Sequence, residues 1–153
     1  MAKYAVDLQA TSATAETLGS IRADATTPRR IKWYDIMFGS EATPADAALS
    51  WTLNRLSAAG AGTGTALTPQ PLDPADAAAL TDCHENFSAE PTTYDTVPVL
   101  NVPLNQRATF RWVAAPGGEI VTAATASIGA GIRTPVISTG TPVVTATVHF
   151  EEQ

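Results

Sequence analysis

The stretch Gln106–Ala124, QRATFRWVAAPGGEIVTAA, carries the clearest strand pattern in the chain. Phe110 and Trp112 alternate with Arg111 and Val113, which is the period of a half-buried β-strand. The Pro-Gly-Gly sequence at 116–118 then supplies turn chemistry, because proline fixes φ and glycine accepts positive φ at little cost. The pattern predicts two strands folded back on a tight turn, with Phe110 and Trp112 in the core of a sheet.

The segments on either side of this stretch also have strand patterns. Val97–Leu104 predicts a strand at a sheet edge, because its prolines cannot donate to a ladder. Pro142–Glu151 alternates regularly and predicts a last strand inside a sheet, with Val148 and Phe150 facing the core. Lys3–Ala10 predicts a first strand or N-terminal arm.

Between the first strand and the central stretch, the strongest strand signal is Arg29–Phe38, which has large apolar residues on both predicted faces. A strand with one face on the core is expected to be polar on the other. The second apolar face therefore predicts a cover, either a loop of this chain or a neighbouring subunit. A short strand is predicted near Thr17–Ala23, and Leu49–Leu53 alternates as another. We assign Trp33 and Trp51 to the core.

Other segments carry turn, helix or loop signals. Thr43–Ala48 and Asp73–Ala78 each place a capping residue before proline, which predicts one helical turn in the first segment and about two in the second. The glycine-rich Ala58–Thr65 predicts a flexible hairpin tip and lacks the features of a phosphate loop. Leu67–Leu72 is extended by its prolines and is expected to lie over the surface. His84–Thr96 is predicted to be a loop.

These signals predict about eight short antiparallel strands in one domain over residues 1–153. That number favours an all-β sandwich of the jelly-roll type with one or two short helical turns. An immunoglobulin-like sandwich is the alternative, although its cysteine pair is absent.

The charge and hydropathy of the chain limit its partners. The net charge is −6 and the pI about 4.7, which argues against a nucleic-acid partner. No apolar run reaches the roughly 18 residues of a transmembrane helix, so no membrane partner is expected. The N-terminus lacks the apolar stretch of a secretory signal, which favours assembly in a cytoplasm.

The residues that usually carry chemistry are few. The single cysteine, Cys83, is expected to be a small buried residue, and the two histidines, His84 and His149, are too few for a metal centre. The carboxylates of Glu90, Asp95 and Glu119 are expected to be solvated. We predict no catalytic residue, no metal and no cofactor. Arg111 is expected to form a surface ion pair, with a contact to a partner as the alternative.

The segments NQRATFRWVAAPGGEIV, RRIKWYDIMFG, TPADAALSW and LDPAD together resemble small structural proteins of tailed bacteriophages, over about Lys3–Glu152. The resemblance implies a capsid decoration (cement) protein of jelly-roll fold that forms dimers or trimers. Its partner would be the major capsid protein, and its location the capsid surface of the virion.

For a capsid role we select a set of candidate interface residues, and we keep two alternative functions. The candidates are Lys3, Tyr4, Tyr34, Ile36, Phe38, Pro69, Pro71, Leu72 and Arg111. The first alternative is a receptor- or glycan-binding module of a head or tail fibre, with Trp33, Tyr34 and Trp51 as aromatic platforms. A hydrolase is the second. Two attachment modes are predicted: a Leu67–Leu72 strap over a neighbour, and addition of Lys3–Ala10 to another chain's sheet.

Overall fold

Two six-stranded antiparallel sheets pack face to face in the computed structural model, which describes residues 1–11, 16–57 and 62–153. The described strands are β1 (Lys3–Thr11), β2 (Glu16–Arg22), β3 (Ile31–Ala42), β4 (Ala48–Arg55), β5 (Thr63–Leu67), β6 (Gln70–Pro71), β7 (Asp82–Ala89), β8 (Leu100–Asn105), β9 (Phe110–Val113), β10 (Ile120–Thr122), β11 (Gly129–Ile137) and β12 (Val143–Glu152). The predicted all-β antiparallel sandwich is confirmed.

The strand order interleaves the beginning and the end of the chain. The sheet that we call the β1 sheet has the order β10-β3-β12-β1-β6, with β9 also paired to β3. The β2 sheet has the order β5-β7-β2-β11-β4-β8. This order is consistent with the predicted jelly-roll. An immunoglobulin-type sandwich pairs strands that are consecutive in sequence, whereas no described pairing here joins consecutive strands.

The core lies between the inner faces of the two sheets. Trp33, Trp51, Val148 and Phe150 are fully buried there, as predicted. Phe38 of β3 packs against Trp51 of β4 with 5.4 Å between ring centroids, which links the two sheets. Burial of large aromatic side chains of this kind dominates the energetics of small cores.

An extra residue in β3 explains why that strand is apolar at both alternating sets of positions. Trp33 pairs with Phe150 and Asp35 pairs with His149, so Tyr34 has no opposite residue in β12. This β-bulge shifts the alternation by one residue. Ile36 therefore faces the core like Trp33, and it is fully buried. The predicted second apolar face is therefore wrong, and the reason for expecting a cover over it is removed.

The predicted hairpin at 106–124 is also wrong. β9 pairs antiparallel with Asp35–Phe38 of β3, and β10 pairs antiparallel with Ile31–Trp33 of the same strand. The two segments therefore run in the same direction, along one edge of β3. The Pro-Gly-Gly segment forms a turn with Gly117 at φ 81°, but the chain leaves it in its original direction. β3 is long enough to pair with both segments, so no reversal is needed.

The exposed edge position of β9 changes the assignment of one aromatic residue. Phe110 and Trp112 share the inner face of the sheet, as predicted, since they pair with Phe38 and Ile36. Trp112 is half-buried against the core. Phe110, predicted to be a core residue, is 41% exposed. The reason is that, among the described strands, β9 pairs with β3 alone.

The N-terminal strand is an integral part of its sheet. β1 pairs with β12 along its whole length and with β6 at Tyr4 and Ala5. It is therefore not a free arm, and its addition to another chain's sheet would require the fold to open. The predicted strap folds onto its own chain in the same way, because Gln70–Pro71 pairs with β1 and the Leu72 N–H donates to the Lys3 carbonyl.

Neither predicted helix forms. At Asp73 the cap signature produces only a turn, in which the side chain accepts the N–H of Ala75 and the backbone carbonyl accepts that of Asp76. The segment after it is mostly exposed, and a helix this short needs tertiary packing of an apolar face. In the first segment Thr43 has a φ of 51°, whereas a residue that caps a helix adopts the β region.

Some of the remaining strand predictions are confirmed and others are wrong. β2, β4 and β12 lie where they were expected, and β8 is the edge strand that its prolines indicated. The region predicted to be a loop from His84 is instead β7, and Gly129–Ile137 forms β11, a nine-residue strand inside the β2 sheet. Within the glycine-rich segment, residues 58–61 lie outside the described ranges, while Thr63 begins β5.

The bulge predicts that two single-residue deletions in β3 differ in their effect on stability. Deleting Tyr34 is expected to preserve the fold, because the remaining residues of β3 then alternate strictly between the two faces. Deleting Met37 is expected to move Phe38 to the outer face and to remove its contact with Trp51, at a cost of about 3–5 kcal/mol for a lost buried aromatic. Urea unfolding of both variants checks this. A Tyr34 deletion as destabilising as the Met37 deletion would contradict the bulge assignment.

Candidate functional site

The bulge in β3 places two consecutive side chains, Tyr34 and Asp35, on the outer face of the β1 sheet. Both of them contact His149 of the neighbouring strand β12. The Tyr34 ring stacks on the imidazole with 6.2 Å between centroids, and the Asp35 carboxylate accepts a hydrogen bond from His149 Nδ1 at 3.0 Å. In a regular strand, alternation would send one of the two to the core.

Asp35 is held from the other side by Arg111 of β9. The guanidinium donates from Nε to Oδ1 at 2.9 Å and from Nη2 to Oδ2 at 2.7 Å. The Asp35 side chain is 7% exposed and that of Arg111 is 60% exposed. The hydrogen bonds from Arg111, with a smaller contribution from His149, hold the pKa of the Asp35 carboxyl below its usual value, although burial opposes them. The surface ion pair predicted for Arg111 is therefore present.

Lys3 extends this arrangement to β1. Its ammonium lies 5.5 Å from the centroid of the Tyr34 ring, in a cation–π geometry. Partial burial raises the pKa of the Tyr34 hydroxyl, as does the nearby Asp35 carboxylate, so the phenol is protonated at neutral pH. We call the set Lys3, Tyr34, His149, Asp35 and Arg111 the outer row. It crosses four strands, β1, β12, β3 and β9.

The surroundings of the outer row are mixed in character. Met37 and Val113 are exposed apolar residues on the same face. Beside Tyr34, an open pocket of about 270 Å³ is lined by further charged residues, including Lys32 and Glu119. Aromatic, methionine and arginine side chains are the residue types enriched in protein interfaces.

A second polar cluster lies on the outer face of the β2 sheet. Arg22 donates from Nη2 to Asp82 Oδ2 at 2.6 Å and to His84 Nδ1 at 2.7 Å. Burial lowers the pKa of His84 and outweighs the opposite effect of Asp82. Nearby, Tyr94 packs over Gly131, where an added Cβ would lie 2.3 Å from the phenol oxygen. The Tyr94 hydroxyl also lies 3.1 Å from Thr17 Oγ1, and the Arg133 guanidinium lies 4.7 Å from the centroid of its ring, so Tyr94 is held on the β2 sheet.

The two histidines therefore lie on opposite outer faces of the sandwich and cannot meet in one site. Sheets of a sandwich are about 10 Å apart, with side chains filling the space between them. Among residues 1–11, 16–57 and 62–153, no group of three His, Cys, Asp or Glu side chains is arranged to hold a metal ion. Those same ranges include no helix suited by length and apolarity to crossing a membrane.

The predicted interface candidates separate into three groups. Lys3, Tyr34 and Arg111 come together in the outer row. Tyr4, Ile36 and Phe38 are buried in the core, so their assignment to an interface is wrong. The β-bulge turns Ile36 and Phe38 toward the core. Tyr4 lies on the face of β1 that packs against the core.

The third group lies along the β6 edge. Pro69 is buried and Pro71 is half-buried against β1, so neither has the free surface that was expected. Leu72 is 50% exposed and is the one member of this group with a substantial free apolar surface.

Sequence reasoning did not assign Asp35 or His149 to a site. For Asp35 a signal was present, since a carboxylate inside the apolar run of β3 requires a cation or a hydrogen-bond donor close by. The partners themselves are 76 and 114 residues away in the chain, so only the strand order identifies them. A comparison with known protein families, curated proteins and solved structures finds no match for this chain.

The lowered pKa of Asp35 gives a prediction for acid unfolding. A carboxylate with a depressed pKa contributes stability above its ordinary pKa of 3.8, and that stability is lost as the pH falls through the lowered value. Arg111→Ala removes the main cause of the depression, so unfolding should begin at a higher pH. Circular dichroism during an acid titration measures this. Arg107→Ala, an exposed arginine before β9, is the control and should leave the curve unchanged.

Cys83 gives a second prediction. It is 1% exposed on the inner face of β7, and burial raises the pKa of its thiol well above the ordinary value. Because the thiolate is the reactive form, a thiol reagent should label the folded protein far more slowly than the urea-unfolded protein. The chain has one cysteine, so the signal has a single source. Equal labelling rates in the two states would contradict the burial.

Proposed function

We propose that this chain is a structural virion protein that binds the outer surface of a bacteriophage capsid and stabilises it. The resemblance to small phage structural proteins supplies this setting, and the sandwich fold is compatible with it. The observation that carries the proposal is the outer row. Its side chains are held by one another before any partner arrives, so little conformational entropy is lost on binding.

The proposed partner is the major capsid protein, and the proposed location is the capsid surface after assembly in the host cytoplasm. A protein that binds only the assembled shell stabilises that shell by mass action. Contacts to several capsid subunits at once, or by several copies of this chain, would add through avidity. Such a role needs surface complementarity and no catalytic group, cofactor or metal.

A glycan-binding module is the alternative function. Two of its three candidate platforms, Trp33 and Trp51, are fully buried and are excluded. Tyr34 is half-exposed beside the open pocket, but its ring already contacts His149 and Lys3. We therefore favour a protein partner, for which a charged and aromatic row is the better match.

The proposal predicts a specific binding defect. Tyr34→Ala should reduce co-sedimentation of the purified protein with phage particles that lack it, because the stacked centre of the outer row is lost. Val136→Ala, an exposed residue of β11 on the other sheet, is the matched control and should bind like the unsubstituted chain. Protein composition of purified particles should show a copy number comparable to that of the major capsid protein.

Three outcomes would contradict this function. Absence of the protein from purified particles is the first, and a copy number of only a handful, as in a fibre or neck component, is the second. Equal co-sedimentation of the Tyr34→Ala and unsubstituted proteins is the third and would exclude the outer row as the contact. A glycan-array signal that disappears with Tyr34→Ala in a folded protein would support the alternative module.

A further inference from the structure

The edges of the two sheets differ in how their backbone groups are protected. Natural proteins block exposed edges with proline, bulges, or side chains that cover the free groups. In the β2 sheet, edge strand β8 contains Pro103, and a bulge in β7 between Glu85 and Ala89 increases the twist along the neighbouring edge strand β5. Both of these edges therefore carry a device that opposes pairing with another strand.

The β1 sheet protects most of its edges in the same way. On one side β6 ends in Pro71, and beyond it the Gln9 N–H of β1 donates to the Glu85 carboxylate at 2.7 Å. On the other side the Val121 carbonyl of β10 accepts a hydrogen bond from Arg55 Nη2 at 3.3 Å. The remaining edge is β9, in which no proline, bulge or covering side chain is present among the described residues.

The pairing of β9 with β3 identifies its free backbone groups. The Ala114 N–H donates to the Tyr34 carbonyl, so residues at even positions in this segment point toward β3. The N–H and C=O groups of Arg111 and Val113 consequently point away from the sheet. They are the groups to which another strand would bond.

The side chains of β9 favour contact at this edge. Phe110 is 41% and Val113 57% exposed, and they lie on opposite faces of the sheet. A charged side chain on an edge strand normally repels a second strand. Here the Arg111 guanidinium is drawn back over the outer face by Asp35 and is neutralised there. Two copies of β9 would therefore meet with little charge repulsion.

We propose that β9 is a self-association edge, at which a second copy of this chain adds its own β9 antiparallel and joins the two β1 sheets. Pairing about a two-fold axis at Trp112 sets Arg111 opposite the partner's Val113, and each such pair exchanges both backbone hydrogen bonds. The occupant is a second copy because this pairing matches free groups with free groups and places the Trp112 side chains opposite one another. The pairing concerns the isolated protein and does not depend on the capsid role.

The test compares two substitutions at one position. Val113→Pro removes an outward N–H, a place where an edge strand tolerates proline, whereas Val113→Thr keeps the N–H and the strand propensity. Sedimentation velocity over a wide concentration range should show a monomer–dimer equilibrium for the unsubstituted and Val113→Thr proteins, and loss of the dimer for Val113→Pro. Amide hydrogen exchange should slow at Arg111 and Val113 as concentration rises.

Val113→Lys provides a second variant should the proline variant fail to fold, because it leaves the backbone intact and introduces lysine, the side chain that natural edge strands use against pairing. It should also lose the dimer. A monomer at every concentration for the unsubstituted chain would overturn the proposal, as would a dimer that persists in the folded Val113→Pro or Val113→Lys protein. Capsid binding by monomers that is lost in Val113→Pro would assign the edge to a capsid strand instead. Capsid binding is measured separately, so either proposal can fail alone.

Discussion

The β-bulge at Tyr34 is the constraint on which both faces of the β1 sheet depend. On the inner side it keeps Trp33 and Ile36 together in the core, although they are three positions apart in a strand of period two. On the outer side it sets Tyr34 and Asp35 side by side against His149. One inserted residue thus reconciles a continuous core with an organised surface, which is a recurrent use of bulges next to functional positions.

The outer row gains its order from charge and burial together. Asp35 is almost fully buried on a face that is otherwise exposed, and an unpaired carboxylate there would be costly. Arg111 and His149 satisfy it, and in doing so Arg111 is pulled away from the β9 edge. The same ion pair therefore organises a surface and removes a barrier to strand pairing at its border. Arg111 thus belongs both to the outer row and to the β9 edge.

Sequence patterns predicted the fold class well because burial in a sandwich follows a period of two, as β12 shows. They failed where the three-dimensional order of strands decides the outcome. The Pro-Gly-Gly turn does not reverse the chain, because β3 offers pairing partners on both sides of it. The cap at Asp73 has no apolar face to bury. Three members of the outer row, Lys3, Tyr34 and Arg111, were predicted from the sequence as interface residues. The contacts of His149 could not be predicted, because they depend on the bulge and on the pairing of β12 with β3.

The pairing of β1 with β12 has a consequence for synthesis of the protein. Lys3 lies opposite Glu151, and the Glu152 N–H donates to the Ala2 carbonyl. Because synthesis runs from β1 towards β12, β1 receives its long partner only after the described strands between them have been made. Until then β1 and β3 expose unpaired edges to the cell, and such non-local sheets form slowly. The pairing of β1 with β12 is therefore expected to be a slow step of folding.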